Sequence, residues 1–283
     1  MPTVRTNDVQ TYYERRGSGP PVVFVHGAIL DSSQWTQQID ALSDEYTAIA
    51  YDVRGHGRTG GSDRESYSIP LLADDLHAFV TALDLENPVI CGLSMGGCIA
   101  QVYAAAHPEA VSGLILADTF TPYLFGRGEW FQRSVMLRAA VPPVRLLGYE
   151  RIERAMVWVH ERLSKGASGD YERVESLRAE GPTMDTAEFA KVIRAVASFH
   201  ETRVDHSAIS APTLVLYGEQ EPAFLRRHVS KMAADIPNAV VEEVPGGGHA
   251  SNLDNPDFFT EAVREFLANV RPAGESDGAT ASE

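Results

Sequence analysis

The chain is poor in cysteine, in lysine and in long apolar runs, and each shortage removes a class of protein. Two cysteines in 283 residues, Cys91 and Cys98, are too few for a disulfide framework or a thiolate metal site, and plain burial is what their apolar surroundings suggest. No stretch approaches the roughly 18 uninterrupted apolar residues of a membrane span, and residues 1–8 lack the charged-then-apolar order of a secretory leader. The expectation is a cytoplasmic protein with no membrane partner. Lysine occurs three times, at Lys165, Lys191 and Lys231, so arginine supplies the rest of 24 basic residues, which face 39 acidic ones for a net charge of −15. That balance argues against nucleic acid or an anionic surface as partner. Two origins of an acidic, arginine-biased composition stay open: a salt-loving host, in which screening relieves carboxylate repulsion, and a GC-rich genome. The histidines His56, His77, His107, His160, His200, His206 and His228 show no metal-ligand spacing, and neither a metal nor a cofactor is expected.

What is present suits a soluble α/β protein. With 44% apolar residues the chain can bury a sizeable core, and one domain with an insertion fits its length better than two independent domains. Short β-like runs at Thr3 to Thr6 and Gln10 to Arg15 precede unbroken apolar runs at Pro21 to Val25, Tyr46 to Tyr51, Pro88 to Cys91, Val111 to Ala117, Thr213 to Tyr217 and Ala239 to Val244. Runs of that kind belong to a parallel sheet covered on both faces. Helical periods alternate with them, around Trp35 to Leu42, from Ile69 behind a Ser68 cap, from Gly97 to Ala106, and from Pro256 to Val270. Strand and helix in alternation imply right-handed crossovers and a doubly wound, mostly parallel sheet.

Within this rhythm Gly92-Leu93-Ser94-Met95-Gly96 spells G-x-S-x-G between a strand and a helix. A sharp strand-to-helix turn needs minimal side chains at its flanks and pushes the central hydroxyl out alone, beneath the N-terminal N–H groups of the next helix. Ser94 is therefore the candidate nucleophile. A serine hydroxyl needs an imidazole to take its proton, and the imidazole needs a carboxylate to fix its tautomer. Pro245-Gly246-Gly247-Gly248-His249, on the loop after the last strand, gives His249 the reach to return to Ser94. The strand Pro21 to Val25 ends in His26-Gly27-Ala28, where the Ala28 N–H can face inward as one half of an oxyanion hole whose other half is the Met95 N–H; His26 itself fits a loop-supporting role. A second glycine pattern, Gly55, Gly57 and Gly60, matches G-x-G-x-x-G, but Gly61-Ser62-Asp63 break the helix that a dinucleotide site would require.

Between residues 119 and 205 strand signals vanish. Ile152, Met156, Val159 and Leu163 form one helical stripe; Phe189, Val192, Ile193 and Val196 form another behind a capping pattern, Asp185-x-x-Glu188. The expected organisation is a core of residues 1–118 and 206–270, a helical cap or lid at 119–205, and a disordered acidic tail at 271–283. Phe120, Tyr123, Phe125 and Trp130 at the start of the cap are the candidate walls of an apolar acyl or alkyl pocket.

HGA at His26, D-x-R-G-x-G at Asp52 to Gly57, GLSMGG around Ser94 and GGGH ending at His249, in the order nucleophile, acid, histidine, together resemble the α/β-hydrolase family in its esterase and lactonase branch, over roughly residues 3–270. The resemblance implies an α/β-hydrolase fold, Ser94 as nucleophile, His249 as base, and Ala28 and Met95 as oxyanion donors. The acid departs from the family pattern. Most members carry aspartate where this chain has Glu221, and some relatives place the acid at the end of the preceding core strand, here Asp118; either residue, or an arrangement shared between them, stays open. Serine at the elbow disfavours the dehalogenase and epoxide-hydrolase branches. The expected activity is cofactor-free hydrolysis of a small or medium carboxylic ester or lactone, falling below about pH 6 to 7 as His249 protonates. A perhydrolase or haloperoxidase, a C–C bond hydrolase, and a non-catalytic small-molecule receptor on the same fold are the alternatives. The oligomeric state is open, with room for a homo-oligomer.

Overall fold

Eight strands, β1 (Thr3–Thr6), β2 (Val9–Arg16), β3 (Pro21–Val25), β4 (Thr47–Tyr51), β5 (Val89–Leu93), β6 (Gly113–Ala117), β7 (Thr213–Gly218) and β8 (Ala239–Val244), build one sheet in the order β1-β2-β4-β3-β5-β6-β7-β8. Pairing is antiparallel from β1 to β4 and parallel from β4 across to β8. The computed structural model describes residues 2–270 except 140, 149–150, 152–153, 156–157, 159–161, 163–170 and 183. The expected stripe of Ile152, Met156, Val159 and Leu163 and the acidic tail 271–283 lie outside the described residues.

The apolar runs form buried strands because helices cover both faces. Successive side chains of a strand point to opposite faces, so Val23 and Phe24 enter different cores. On one side Val23, Ile49 and Ile90 pack with Leu72, Leu76 and Phe79 of helix α2 (Ile69–Ala82) and with Ile99 and Tyr103 of helix α3 (Met95–Ala106). On the other, Phe24, Cys91 and Ile115 meet Trp35, Ile39 of helix α1 (Thr36–Leu42), and Phe259 and Val263 of the helix Pro256–Asn269. Ser68 caps α2 by accepting the Leu71 N–H at 3.3 Å, with Pro70 in the first turn, where its missing N–H costs nothing. Both cysteines are buried, and burial pushes the Cys98 thiol up to about 12, which leaves it protonated.

The Gly55, Gly57, Gly60 segment is a loop organiser. Asp52 at the end of β4 accepts N–H groups from Ser32 at 2.8 Å and from Arg58 at 2.6 Å, and the next helix does not begin until Ile69. Between β6 and β7 every described element is helical. Asp185 caps the helix Thr186–Ala197 by accepting the Ala187 N–H at 2.7 Å, but Glu188 does not reach back to complete a capping box. It pairs with Lys191 at 2.8 Å and accepts the Tyr67 hydroxyl, fastening this helix to the loop before α2.

Candidate active site

β5 ends at Leu93 and α3 begins at Met95, so Ser94 alone makes the turn. Its φ of 54° and ψ of −114° are sparsely populated by any residue with a side chain, at a cost of about 1–3 kcal/mol. Neighbours hold it there. The Ser94 N–H donates to the Ala117 carbonyl at 2.9 Å, and the Thr119 hydroxyl donates to the Ser94 carbonyl at 2.7 Å. The flanking glycines are a matter of contact: a Cβ at Gly92 would strike the Gly96 carbonyl, and one at Gly96 would strike the Val25 carbonyl.

From that turn the Ser94 Oγ–H donates to His249 Nε2 at 2.9 Å, and the His249 Nδ1–H donates to Glu221 Oε1 at 2.6 Å. The carboxylate fixes the tautomer that leaves Nε2 free to accept. Two glycine-rich loops bring these groups together. A Cβ on Gly218, the last residue of β7, would overlap the carbonyls of Gly247 and Gly248, and the Gln220 N–H donates to the Gly247 carbonyl at 2.8 Å, so acid loop and histidine loop lie in direct contact. Burial by itself would lower the His249 pKa; the charge and hydrogen bond of Glu221, backed by Asp118 and Asp254, outweigh it and raise the imidazole to about 9. Because 45% of that side chain stays open to water, solvent damps the rise without reversing it.

Asp118 is fully buried at the end of β6 and does not touch the imidazole. Its Oδ1 accepts the Gly218 N–H at 2.9 Å, and its Oδ2 accepts the Ser251 N–H at 3.0 Å and the Ser251 hydroxyl at 2.6 Å. It ties the end of β7 to the residue two positions after His249. Burial and the nearby Glu221 charge push its carboxyl up, while His249 and the Ser251 donors pull it back.

The loop after β3 runs beside the serine: a Cβ on Gly27 would lie 3.6 Å from the Ser94 Cβ. His26, fully buried, donates through Nδ1 to the Gly27 carbonyl at 2.7 Å and accepts the Val53 N–H on Nε2 at 2.9 Å, the loop support expected of it. Burial lowers its pKa and keeps it neutral. Gln34 accepts the Gly27 N–H at 2.9 Å. The Ala28 N–H comes next along this loop, and the Met95 N–H is the first of α3; neither donates to a backbone carbonyl among the described residues.

The four aromatic residues proposed as pocket walls part company. Phe120 is half-buried, with the Arg133 guanidinium 4.5 Å over its ring and Phe199 edge-on at 6.0 Å. Tyr123 and Trp130 are 51% and 47% exposed, and Phe125 stands edge-on to Tyr123 and His228. A buried cluster explains the split. Glu129 bridges Arg133 at 3.2 Å and His228 at 2.7 Å, which turns that face of the helix inward and leaves Trp130, about 100° further round, on the outside. Thr119, Gln34 and Ser251 hold the site and escaped sequence reasoning, because isolated polar residues beside a motif carry no periodic signal. No group of three metal-ligating side chains occurs among the described residues.

Residues 20–256 match the family model of the alpha/beta hydrolase fold. The 3-oxoadipate enol-lactonase 2 of Acinetobacter baylyi is 28% identical over 94% of this chain and 96% of its own length. A non-heme chloroperoxidase of Kitasatospora aureofaciens is 28% identical over 94% of this chain and 99% of its own. Among solved structures, a thermophilic esterase from Thermogutta terrifontis superposes with a TM-score of 0.74 at 28% identity, covering 95% of this chain and 97% of its own. No described helix is long and apolar enough to cross a membrane. A family model spanning most of the chain, hydrolases among its relatives, and a serine at a strained strand-to-helix turn agree that this chain belongs to the α/β-hydrolase fold family and is a hydrolase of that family.

Proposed function

We propose that the protein cleaves a small or medium carboxylic ester or lactone through an acyl-enzyme on Ser94. One observation carries the reading: the hydrogen-bonded line from the Ser94 hydroxyl through both nitrogens of His249 to Glu221, at 2.9 and 2.6 Å. In the first half-reaction Ser94 Oγ attacks the carbonyl carbon as its proton passes to His249 Nε2. The oxyanion is stabilised by the Ala28 and Met95 N–H groups. Collapse of that adduct breaks the acyl–oxygen bond, and His249 returns the proton to the leaving alkoxide; in a lactone the alcohol stays attached to the acyl chain. Water activated by His249 then attacks the acyl-enzyme, and the acid leaves with Ser94 restored. Glu221 orients the ring and stabilises the imidazolium. Asp118, with three donors on its carboxylate, is assigned the structural role. The segment 119–205, whose described elements are all helical, is assigned as the cap, with Phe120 a candidate wall. The enol-lactonase and the esterase among the relatives support the substrate class, and the net charge of −15 disfavours an anionic membrane surface as partner.

The chloroperoxidase relative favours one second reading, in which hydrogen peroxide replaces water on the acyl-enzyme and releases a peracid. A panel of short-chain aryl esters, lactones, and peroxide with a carboxylic acid and bromide separates the readings. Multiple turnovers of ester or lactone, reduced on the order of 10⁶-fold by Ser94→Ala, are expected. Single-equivalent reaction without turnover would favour a receptor, and halogenation far outpacing ester cleavage would favour the perhydrolase. Ester turnover untouched by Ser94→Ala would overturn the proposal.

A further inference from the structure

Six non-glycine residues among those described have positive φ, and five of them are Asn, Asp or Ser, short polar residues that tolerate the left-handed region or, at Ser94, make the nucleophile turn. The sixth is Ile29, at φ 65°. A β-branched side chain at that angle is crowded against its own backbone and stays only where the surroundings hold it. Those surroundings belong to the helical insertion. Ile29 packs with Met184 and Ile193 against buried Val144 and Phe189, which come from the helices Val141–Leu147 and Thr186–Ala197. The next residue, Leu30, is buried with Val174 of the helix Tyr171–Glu180 and with Ala250 and Leu253 just after His249. The residue before Ile29 is Ala28.

We infer that Ile29 is a positioning residue through which the helical insertion holds the Ala28 N–H at Ser94. The side chain acts as a peg. Seated between the insertion helices, it keeps the backbone at an angle the residue would otherwise leave, and relaxation of φ at Ile29 swings the preceding peptide and moves Ala28 with it. The insertion thereby keeps the oxyanion donor in register. This rests on the reading of Ala28 as a donor, and the test separates the two.

A peg that holds the backbone angle orders the variants in a way that packing alone does not. At Ile29, valine keeps most of the peg; glycine loses the peg but accepts the angle without strain; alanine loses the peg and keeps the strain. With short-chain aryl esters kcat should fall in the order Ile, Val, Gly, Ala, with Ile29→Ala down about 10- to 100-fold and KM changed less than threefold. A role in packing alone would place Ala above Gly. Phe189→Ala, on the insertion side, should lower kcat in the Ile29 protein and add little in Ile29→Gly. Amide hydrogen exchange of residues 26–30 reads the clamp without reference to catalysis, and it should quicken at least tenfold in Ile29→Ala and in Phe189→Ala while the exchange of β5 and α3 stays as it was. Unchanged exchange in Phe189→Ala, or Ala above Gly in kcat, overturns the inference and leaves the donor reading standing. Faster exchange with unchanged kcat in both variants shows a clamp that does not position the donor, and overturns the positioning role without touching the assignment of Ala28.

Discussion

Glu221 Oε1 lies 2.6 Å from His249 Nδ1, and that contact separates two carboxylates that the sequence offered for a single role. Asp118, at the end of the neighbouring strand, spends both oxygens on Gly218 and Ser251. Glutamate reaches the ring from a turn pressed against the glycines before His249. Each residue then has its own signature on substitution.

Glu221→Gln keeps the shape and loses the charge that orients the ring and supports the imidazolium, so kcat should fall about 10³- to 10⁴-fold with the fold intact. Asp118→Asn should do the reverse. Its amide nitrogen must face a donor that the carboxylate oxygen accepted, which costs about 1–3 kcal/mol of stability, while kcat stays within about tenfold. Urea unfolding and steady-state kinetics on both variants check this pair of outcomes. Equal loss of activity in the two would mean a shared acid.

The pH profile carries a correction. An ordinary histidine places the loss of activity below about pH 6 to 7, but Glu221 and Asp118 raise His249 toward about 9 against the effect of burial. A protonated imidazole cannot take the serine proton, so kcat/KM should climb with pH through a midpoint above the ordinary histidine value of 6.5. Solvent at the open edge of the ring keeps that midpoint short of the full shift. Glu221→Gln should move it downward along with the rate. A midpoint at or below 6.5 in the unaltered enzyme would mean that Glu221 does not raise the imidazole pKa.

The sheet and the Ser94 and His249 pair were legible because their signals are local: unbroken apolar runs, a G-x-S-x-G at a strand-to-helix junction, a glycine-flanked histidine. The choice of acid was not, because Asp118 and Glu221 both end strands at the same edge and only the third dimension says which one faces the imidazole. The aromatic residues of the insertion part company for a related reason. Periodicity says that Trp130 lies on a helix, and the inward pull of Glu129 and Arg133 decides which face is buried. Ile29 carried no signal, since a positive φ at isoleucine is imposed by the insertion helices and by nothing in its own chemistry.

Contact between the acid and histidine loops predicts a sensitive glycine. Gly218→Ala forces a Cβ into the carbonyls of Gly247 and Gly248, so the loops must part. The expected result is destabilisation of about 1–3 kcal/mol with a loss of kcat larger than that of a surface Gly→Ala control such as Gly128→Ala, where a Cβ meets open space. Thermal melts with parallel kinetics decide it, and Gly218→Ala matching the control would contradict the loop contact.

The net charge of −15 predicts a response to salt. If the acidic surface is an adaptation to concentrated salt, Tm should rise from low to molar KCl as repulsion between carboxylates is screened. A flat or falling curve assigns the arginine bias to genome composition instead.

The central claim is that the Ser94 hydroxyl becomes covalently acylated with the help of His249, and intact-protein mass spectrometry of the enzyme quenched during turnover of an aryl ester tests it most directly. The account predicts a single acyl adduct that maps to Ser94 and vanishes in both Ser94→Ala and His249→Ala. An adduct on another residue, or ester turnover that persists in Ser94→Ala, would contradict it.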